Sequence, residues 1–344
     1  MGESVTQAPR AAVLAIDGGN SKTDVALIGP DGTVLAAVRG GASNHQGVGR
    51  AQALAVLNEL VRGAAQQAGL LADGLVAGHT SACLAGADLA EEEVELGEVI
   101  QAQGWSRTSS VVNDTFAVLR AGLDDAGEHW GIGVVCGAGI NCVGVAPDGR
   151  TTRFLALGQI SGDWGGGGDL GPEALWWAVR AEDGRGPETE LRTAVPVHFG
   201  VGKAEEVVIG LYKGKIGYAE QHGLVPVLFK VAGGGDEVAM SVVLRLADEI
   251  CVMSTVAAKR LGLTDQSAHP GEPVPVVLGG SLMAARDQLL TGAIVRKLAT
   301  DIPGSEVRIV DVPPVAGAAL LGLDFVGAGP AASARLRESA AATW

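Results

Sequence analysis

The chain has 344 residues, enough for two domains with cores of their own, and its 25 Lys and Arg against 39 Asp and Glu leave a net charge of −14. No dense basic run is present to neutralise a phosphate backbone, no stretch has the ~18 uninterrupted apolar residues that a bilayer span needs, and no basic segment with an apolar core marks export; these absences argue against nucleic acid and membrane partners and for a cytoplasmic protein. Four cysteines without a C-x-x-C pair read as buried reduced thiols, and 52 glycines, about twice the usual ~7%, imply many turns or ligand loops.

Residues 12–17 (AVLAID), 23–29 (TDVALIG) and 33–38 (TVLAAV) are short apolar runs closed by Gly, Pro or Asp and read as consecutive strands. The PDG at 30–32 is a tight turn that makes the last two a hairpin. From Gly47 to Gly69 the spacing is helical, with Leu54, Leu57, Val61, Ala65 and Ala68 on one stripe. LVAG (75–78) is strand-like, 87–102 helical, and SSVVND (109–114) a strand again. Strands alternating with helices imply an α/β domain with a mixed sheet.

The order then restarts. GIGVVCGAGINCVGVAPDGR (131–150) is two strand-like runs joined by a glycine-rich turn and ending in a second PDG, which suggests a duplicated architecture. Helical patterns follow at 172–182, 235–262 and 281–299, and VPVVLGG (274–280) is a strand ending where a helix starts. Residues 183–230 are mixed and glycine-punctuated, and the last dozen, rich in Ala, Ser and Arg, read as a frayed tail.

The first turn, DGGNSKT (17–23), is the chemically suggestive stretch. It is no Walker A loop, because no glycine immediately precedes Lys22, and no Rossmann fingerprint, because it leads into a strand instead of a helix. What remains is a hairpin turn whose N–H groups and hydroxyls can wrap a phosphate, with Asp17 facing the metal of a bound nucleotide. An ordinary hairpin with Asp and Gly as turn formers fits the same residues. The restart adds weight to the first reading, since GAGIN (137–141) occupies the same place in its own hairpin. LGGS (278–281) offers flat glycine backbone for an adenosine.

These three elements in this order resemble the sugar kinase/heat-shock-chaperone/actin superfamily, and within it the N-acetylglucosamine kinase branch of the BadF/BadG/BcrA/BcrD ATPase family, over roughly residues 12–325. SNH (43–45), VVNDTF (111–116), GAGINC (137–142) and WGGGGDLG (164–171) support the resemblance, and the zinc-binding cysteine cluster of the other large bacterial sugar kinase group is absent. The resemblance implies two actin-like (ribonuclease H-like) α/β domains with an interdomain active-site cleft. Their expected bounds are 1–114 and 115–325, with 326–344 a tail and the final helix packing back on the N-terminal domain. It also implies ATP and Mg²⁺ as cofactors, an amino sugar as small-molecule partner, and a homodimer.

Phosphorylating a sugar hydroxyl needs a carboxylate to accept its proton and positive charge near the transferring phosphoryl. Asp114 is the expected base, against the alternative that it caps the helix beginning at Thr115. For the nucleotide the resemblance implies Asp17 (through Mg²⁺), Gly18, Gly19, Ser21, Lys22 and Thr23, then Gly137, Ala138 and Gly139, then Gly279, Gly280 and Ser281. For the sugar it implies Ser43, Asn44, His45, Asp114, Asn141, Gln159 and Asp169. The loop is one residue shorter between Trp164 and Asp169 than in the kinases it resembles, so Asp163 and Glu173 are alternative positions.

Residues 159–189 resemble actinobacterial glucosamine kinases more than acetylglucosamine kinases. An ammonium at the sugar 2-position would pair with Asp163, Asp169 or Glu173, whereas an acetyl group would want an apolar slot and an amide partner. Glucosamine is therefore the expected acceptor, with N-acetylglucosamine the alternative. Three further readings stay open. A dehydratase-activating ATPase would need cysteine ligands for an iron–sulfur cluster, and Cys136 and Cys142 flanking the second turn are poorly placed for it. A repressor would need a helix-turn-helix, and about eleven residues precede the first strand. A pure sugar-binding module would lack the carboxylate at Asp114.

Overall fold

In the computed structural model, which describes residues 11–70, 74–124, 129–265, 271–310 and 312–343, the chain opens with β1 (Ala11–Gly18), β2 (Thr23–Ile28) and β3 (Val34–Gly40). A short helix α1 (His45–Val48) leads to α2 (Arg50–Gln67), β4 (Ala77–Leu84), α3 (Ala90–Ala102), β5 (Ser106–Asn113) and α4 (Asp114–Gly122). Then come β6 (Gly131–Cys136), β7 (Ile140–Val145), β8 (Thr151–Arg153) and the helices α5 (Gly167–Glu182), α6 (Leu191–His198), α7 (Ala204–Tyr212), α8 (Leu224–Gly233) and α9 (Glu237–Leu261). The chain continues through β9 (Val274–Gly279), α10 (Ser281–Ala284), α11 (Gln288–Asp301) and β10 (Ser305–Ile309) to α12 (Pro314–Phe325) and α13 (Pro330–Thr343). Two compact units result, residues 1–133 with 310–344, and residues 134–309. No described helix is long and apolar enough to cross a membrane.

In the first unit the sheet order is β3-β2-β1-β4-β5. β1 pairs antiparallel with β2 and parallel with β4, so it is the central strand. Both of its faces are covered, which is why it reads as an unbroken apolar run. Successive residues alternate between two cores. Leu14, Ile16, Val25 and Leu27 join Leu57, Val61 and Ile100 from α2 and α3, while Val13, Ala15, Ala26 and Ile28 join Ala117, Val315, Ala319, Leu323 and Leu336 from α4, α12 and α13.

The second unit carries the order β10-β9-β6-β7-β8, with β9 and β10 parallel and β7 and β8 antiparallel. Matched strand for strand from β6 outward, this repeats the first sheet, so the duplication anticipated from two glycine hairpins extends to the whole sheet. The long helix α9 starts where Asp236 Oδ1 accepts from Ala239 N at 2.8 Å and stops at the left-handed Gly262.

Several elements differ from their sequence expectation for identifiable reasons. The strand expected at 75–78 runs to Leu84, because the polar residues that disguise it are internally satisfied. His79 Nδ1 and Nε2 lie 2.9 and 3.1 Å from the Thr108 and Ser110 hydroxyls, and Thr80 Oγ1 is 2.5 Å from Ser106 Oγ. α5 begins at Gly167, ahead of the expected 172, since consecutive glycines show no apolar period. The helix expected over 281–299 is broken, with Asp287 capping α11. Residues 183–230 resolve into α6, α7, a 3₁₀ turn at 218–223 and α8.

The frayed tail is instead helix α13, with Ser333, Leu336 and Ala340 buried. The expected boundary at 114/115 also shifts, since α4 packs on α12 and stays with the first unit, whose limit falls at Gly133. That packing is tight. A Cβ at Gly317 of α12 would run into the Ala117 carbonyl of α4, a backbone group that cannot step aside. Gly317→Ala is expected to destabilise the protein by about 2–4 kcal/mol, or ~4–10 °C in Tm, whereas Gly47→Ala, which meets nothing within 4 Å, should change Tm little; thermal denaturation of both variants checks this.

Candidate active site

The first hairpin closes when Gly19 N donates to Lys22 O at 3.0 Å, and it leaves Asn20, Ser21 and Lys22 exposed at its tip. Ser43 N and Asn44 N both donate to Gly19 O at 3.2 Å, so the expected sugar residues 43–45 are stitched to the expected phosphate turn. Thr23 is fully buried and donates its hydroxyl to Ser43 Oγ at 2.7 Å, which gives it a bracing position behind the turn. Asn44 donates to Asn20 Oδ1 at 2.5 Å and accepts from Gln46 N at 2.9 Å, capping α1. His45 Nε2 is 4.0 Å from Glu92 Oε1.

Two carboxylates lie at the end of this sheet. Asp17 alternates onto the same face of β1 as Val13 and Ala15, the face covered by α4 and α12, and is itself buried. Asp114 is the first residue of α4, and the cap of that helix is its neighbour: Asn113 Oδ1 accepts from Thr115 N at 3.0 Å, while Asn113 Nδ2 donates to Asp88 Oδ1 at 2.9 Å. The capping role considered for Asp114 is thus filled by Asn113. Burial pushes the Asp114 carboxyl up to about 6, against the opposing pull of the Thr115 N–H and hydroxyl. Burial, then repulsion from Asp114 and from Asp24, pushes Asp17 up to about 8.

Asp24 was not singled out in the sequence. It is fully buried, takes a bidentate guanidinium from Arg39 at 2.6 and 3.0 Å, and lies 3.4 Å from Lys22 Nζ. It therefore pairs with the ammonium of Lys22, whose side chain is still 46% exposed. A partial signal did exist: a lone acid in an apolar strand needs a partner, and counting outward from the PDG turn brings Asp24 opposite Val38, one residue short of Arg39, with the register shift at Leu27/Ile28 making up the difference.

In the second unit the turn of residues 137–139 closes through Gly137 N to Gly139 O at 2.9 Å. The polyglycine stretch lies directly on it, with Gly167 N donating to Gly137 O and Gly168 N to Ala138 O, both at 2.8 Å. Only glycine permits this. Gly166 sits at φ +77°, and a Cβ there would stand 2.6 Å from Gly139 Cα. Asp169 braces the loop, accepting from Gln159 Nε2 and from Gly165 N, each at 2.9 Å. Asp163 accepts from Ser161 Oγ at 2.5 Å, and Glu173 from Trp177 Nε1 at 3.2 Å one helical turn on. Asn141 Oδ1 accepts from Cys142 N at 2.7 Å. A cavity of about 280 Å³ is enclosed by Ala138, Gly139, Ile140, Ala156, Gln159 and Asp169 among others, so second-turn and loop residues share one hollow. Gly279 ends β9, Gly280 rests against the Cys136 carbonyl, and Ser281 Oγ would stand 3.8 Å from a Cβ at Gly137, which brings the expected adenosine residues beside the second turn.

The sequence model of the BadF/BadG/BcrA/BcrD ATPase family matches residues 14–322. The chain belongs to this family. It is 26% identical over 318 residues to an N-acetyl-D-glucosamine kinase of Dictyostelium discoideum, covering 90% of this chain and 97% of the relative. To an N-acetylmuramic acid/N-acetylglucosamine kinase of Clostridium acetobutylicum it is 30% identical over 240 residues, 69% of this chain and 76% of the relative. A Chromobacterium violaceum crystal structure, provisionally described as an N-acetylglucosamine kinase, superposes with a TM-score of 0.67 at 25% identity over 91% of this chain and 99% of that one. The two five-stranded sheets are the actin-like units of sugar kinase structures.

Within the BadF/BadG/BcrA/BcrD family, the thiols of this chain are poor ligands. All four cysteines are buried and free of disulfides, and burial raises the Cys136 thiol to about 12 and Cys142 higher still, which disfavours thiolate.

The Asp17 and Asp114 shifts fix the sign of a pH effect. Acids whose pKa rises on folding bind protons more tightly in the folded chain, so stability falls as pH climbs from about 4 through the folded values near 6 and 8. In the absence of nucleotide and divalent cation, Asp17→Asn is expected to melt about 2–8 °C above the unsubstituted protein at pH 8.5, with the gap closing toward pH 4. Parallel Tm-versus-pH curves would rule this out.

Proposed function

We propose that the protein is an ATP-dependent kinase of amino sugars that transfers the γ-phosphoryl group to the 6-hydroxyl of N-acetylglucosamine. The observation that carries the reading is the Asp114 carboxylate, at the first turn of α4 but not serving as its cap, with a pKa pushed to about 6. Such a group is ionised at neutral pH yet basic enough to accept the hydroxyl proton as the oxygen attacks phosphorus. Lys22 and the N–H groups of the first glycine turn would supply positive charge and donors to the phosphates, and the turn of residues 137–139 carries N–H donors of its own. Gly279, Gly280 and Ser281 offer a flat surface to the adenosine.

No group of three metal-binding side chains stands among the described residues, but the buried Asp17 carboxyl suits a Mg²⁺ held largely by water. Asp17 is a hard-oxygen ligand whose ionisation is opposed by burial and by Asp114, so a divalent cation there would relieve an existing repulsion. When bound, Mg²⁺ would neutralise phosphate charge. Asp17 is the residue that would hold it, with water completing the shell.

N-acetylglucosamine replaces glucosamine as the favoured acceptor for two reasons. The relatives carry the acetylated sugar in their names. The acids expected to meet an ammonium are also engaged internally: Asp169 with Gln159 and Gly165, Asp163 with Ser161, Glu173 with Trp177. The hollow beside them is lined by Ile140 and Ala156, which suit an acetyl methyl, and by Gln159, whose amide nitrogen is given to Asp169 and whose carbonyl would be the acceptor for an acetamido N–H.

Asp114→Asn is expected to lower kcat by ~10²–10⁴ while KM for ATP moves less than about threefold; turnover at the wild-type level would remove Asp114 from the chemistry. In a coupled ADP-release assay, kcat/KM should rank N-acetylglucosamine above glucosamine and glucose. Gln159→Ala should cost the acetylated sugar ~2–10-fold and glucose almost nothing. Equal losses on every sugar would mean that Gln159 only shapes the loop.

A further inference from the structure

α4 is short, nine residues or about 13 Å, and its first residue is the proposed base. At its far end the C-cap residue Leu123 is extended, at φ −86° and ψ 153°. The C-terminal helix supplies donors to the carbonyls there. Arg337 of α13 donates Nη1 to Ala121 O at 2.6 Å and Nη2 to Leu123 O at 2.5 Å, with Arg120 O at 3.4 Å. A cation at this end also suits the helix dipole. Arg120 gives α4 a further tie, bidentate to Asp324 of α12 at 2.7 and 3.2 Å. α13 is in turn seated by buried Leu336 and by an ion pair from Arg335 to Asp31 in the β2–β3 turn.

We propose that Arg337 is a positioning residue for Asp114: by gripping the terminal carbonyls of α4 it fixes the axial placement of the helix that presents the base. This rests on the kinase reading above. A short helix released at one end can slide or tilt as a unit, and a displacement near 1 Å at the reacting group is enough to cost about 10²-fold in rate. Apart from Asp114 itself, the expected substrate contacts lie on other elements, so the loss should fall far more on kcat than on KM.

Arg335 is the internal control. It is on the same helix, two residues away, and its partner Asp31 is in the hairpin, outside α4. Steady-state kinetics with ATP and N-acetylglucosamine, well below Tm, should give Arg337→Ala a kcat about 10–100-fold down with both KM values within about threefold. Arg337→Lys, able to reach one carbonyl, should recover part of that loss, and Arg335→Ala should stay within about twofold of wild type. Hydrogen exchange read by mass spectrometry should show the α4 amides less protected in Arg337→Ala alone. Equal kcat losses in the Arg335 and Arg337 variants, or unchanged α4 protection in Arg337→Ala, would overturn the proposal. If the wild-type protein phosphorylates no sugar, the kinase reading fails, and the exchange data still decide whether Arg337 holds α4.

Discussion

Two carboxylates placed in one poorly solvated spot repel each other and resist ionisation, and the first unit is organised around keeping Asp17 and Asp114 there. β1 delivers one because its residues alternate faces, and α4 delivers the other because Asn113 has taken the capping position. Everything that fixes those two elements becomes part of the site. That includes the glycine contact of α12 on α4, the Asn113–Asp88 bond and the guanidinium of Arg337. Asp24 shows the other solution to the same problem, with its charge held by Arg39 and Lys22. Adjacent acids on one hairpin thus differ in role: Asp24 is saturated, and Asp17 is left with an electrostatic demand that a cation can meet.

The second unit contributes by backbone. Its polyglycine loop and the end of β9 lie against backbone at distances that Gly166 and Gly280 allow because they lack a Cβ. Asp169 holds this arrangement from below through Gln159 and Gly165. An acid expected to meet a sugar ammonium is thus bonded within the loop, where it lines the hollow together with the amide that pairs with it.

Most of the architecture was legible because it rests on short-range rules. The three opening strands, the PDG turns, the stripe of α2 and the restart at Gly131 follow from apolar period and turn chemistry, and the family resemblance was carried by a handful of glycine and polar motifs. The failures have physical causes. β4 hides its strand character behind His79 and Thr80, whose hydroxyl partners on β5 are 26 to 31 residues distant and cannot be read locally. α6, α7 and α8 are two to three turns each, too short for a helical period to emerge. α13 looks like a tail because its small side chains give little apolar signal, yet small size is what lets Ala332 lie against Gly32. At the candidate site, the place of Asp114 at the end of an apolar strand was visible, whereas the hydrogen bonds of Thr23 and Asp169 depend on tertiary partners.

The duplicated hairpins have diverged in the kind of matter they are made from. The turn at residues 19–22 ends in a half-exposed ammonium, a group whose reach is set by the Debye length and so weakens as salt rises. The turn at residues 137–139 has no ionisable side chain, and its N–H dipoles act only at contact. Changing the ionic strength at which such a protein works would therefore bear on one hairpin and leave its twin untouched. A change in the salt of its surroundings would thus bear on the residues that flank Asp24, whereas the turn of residues 137–139 responds to changes in shape and packing.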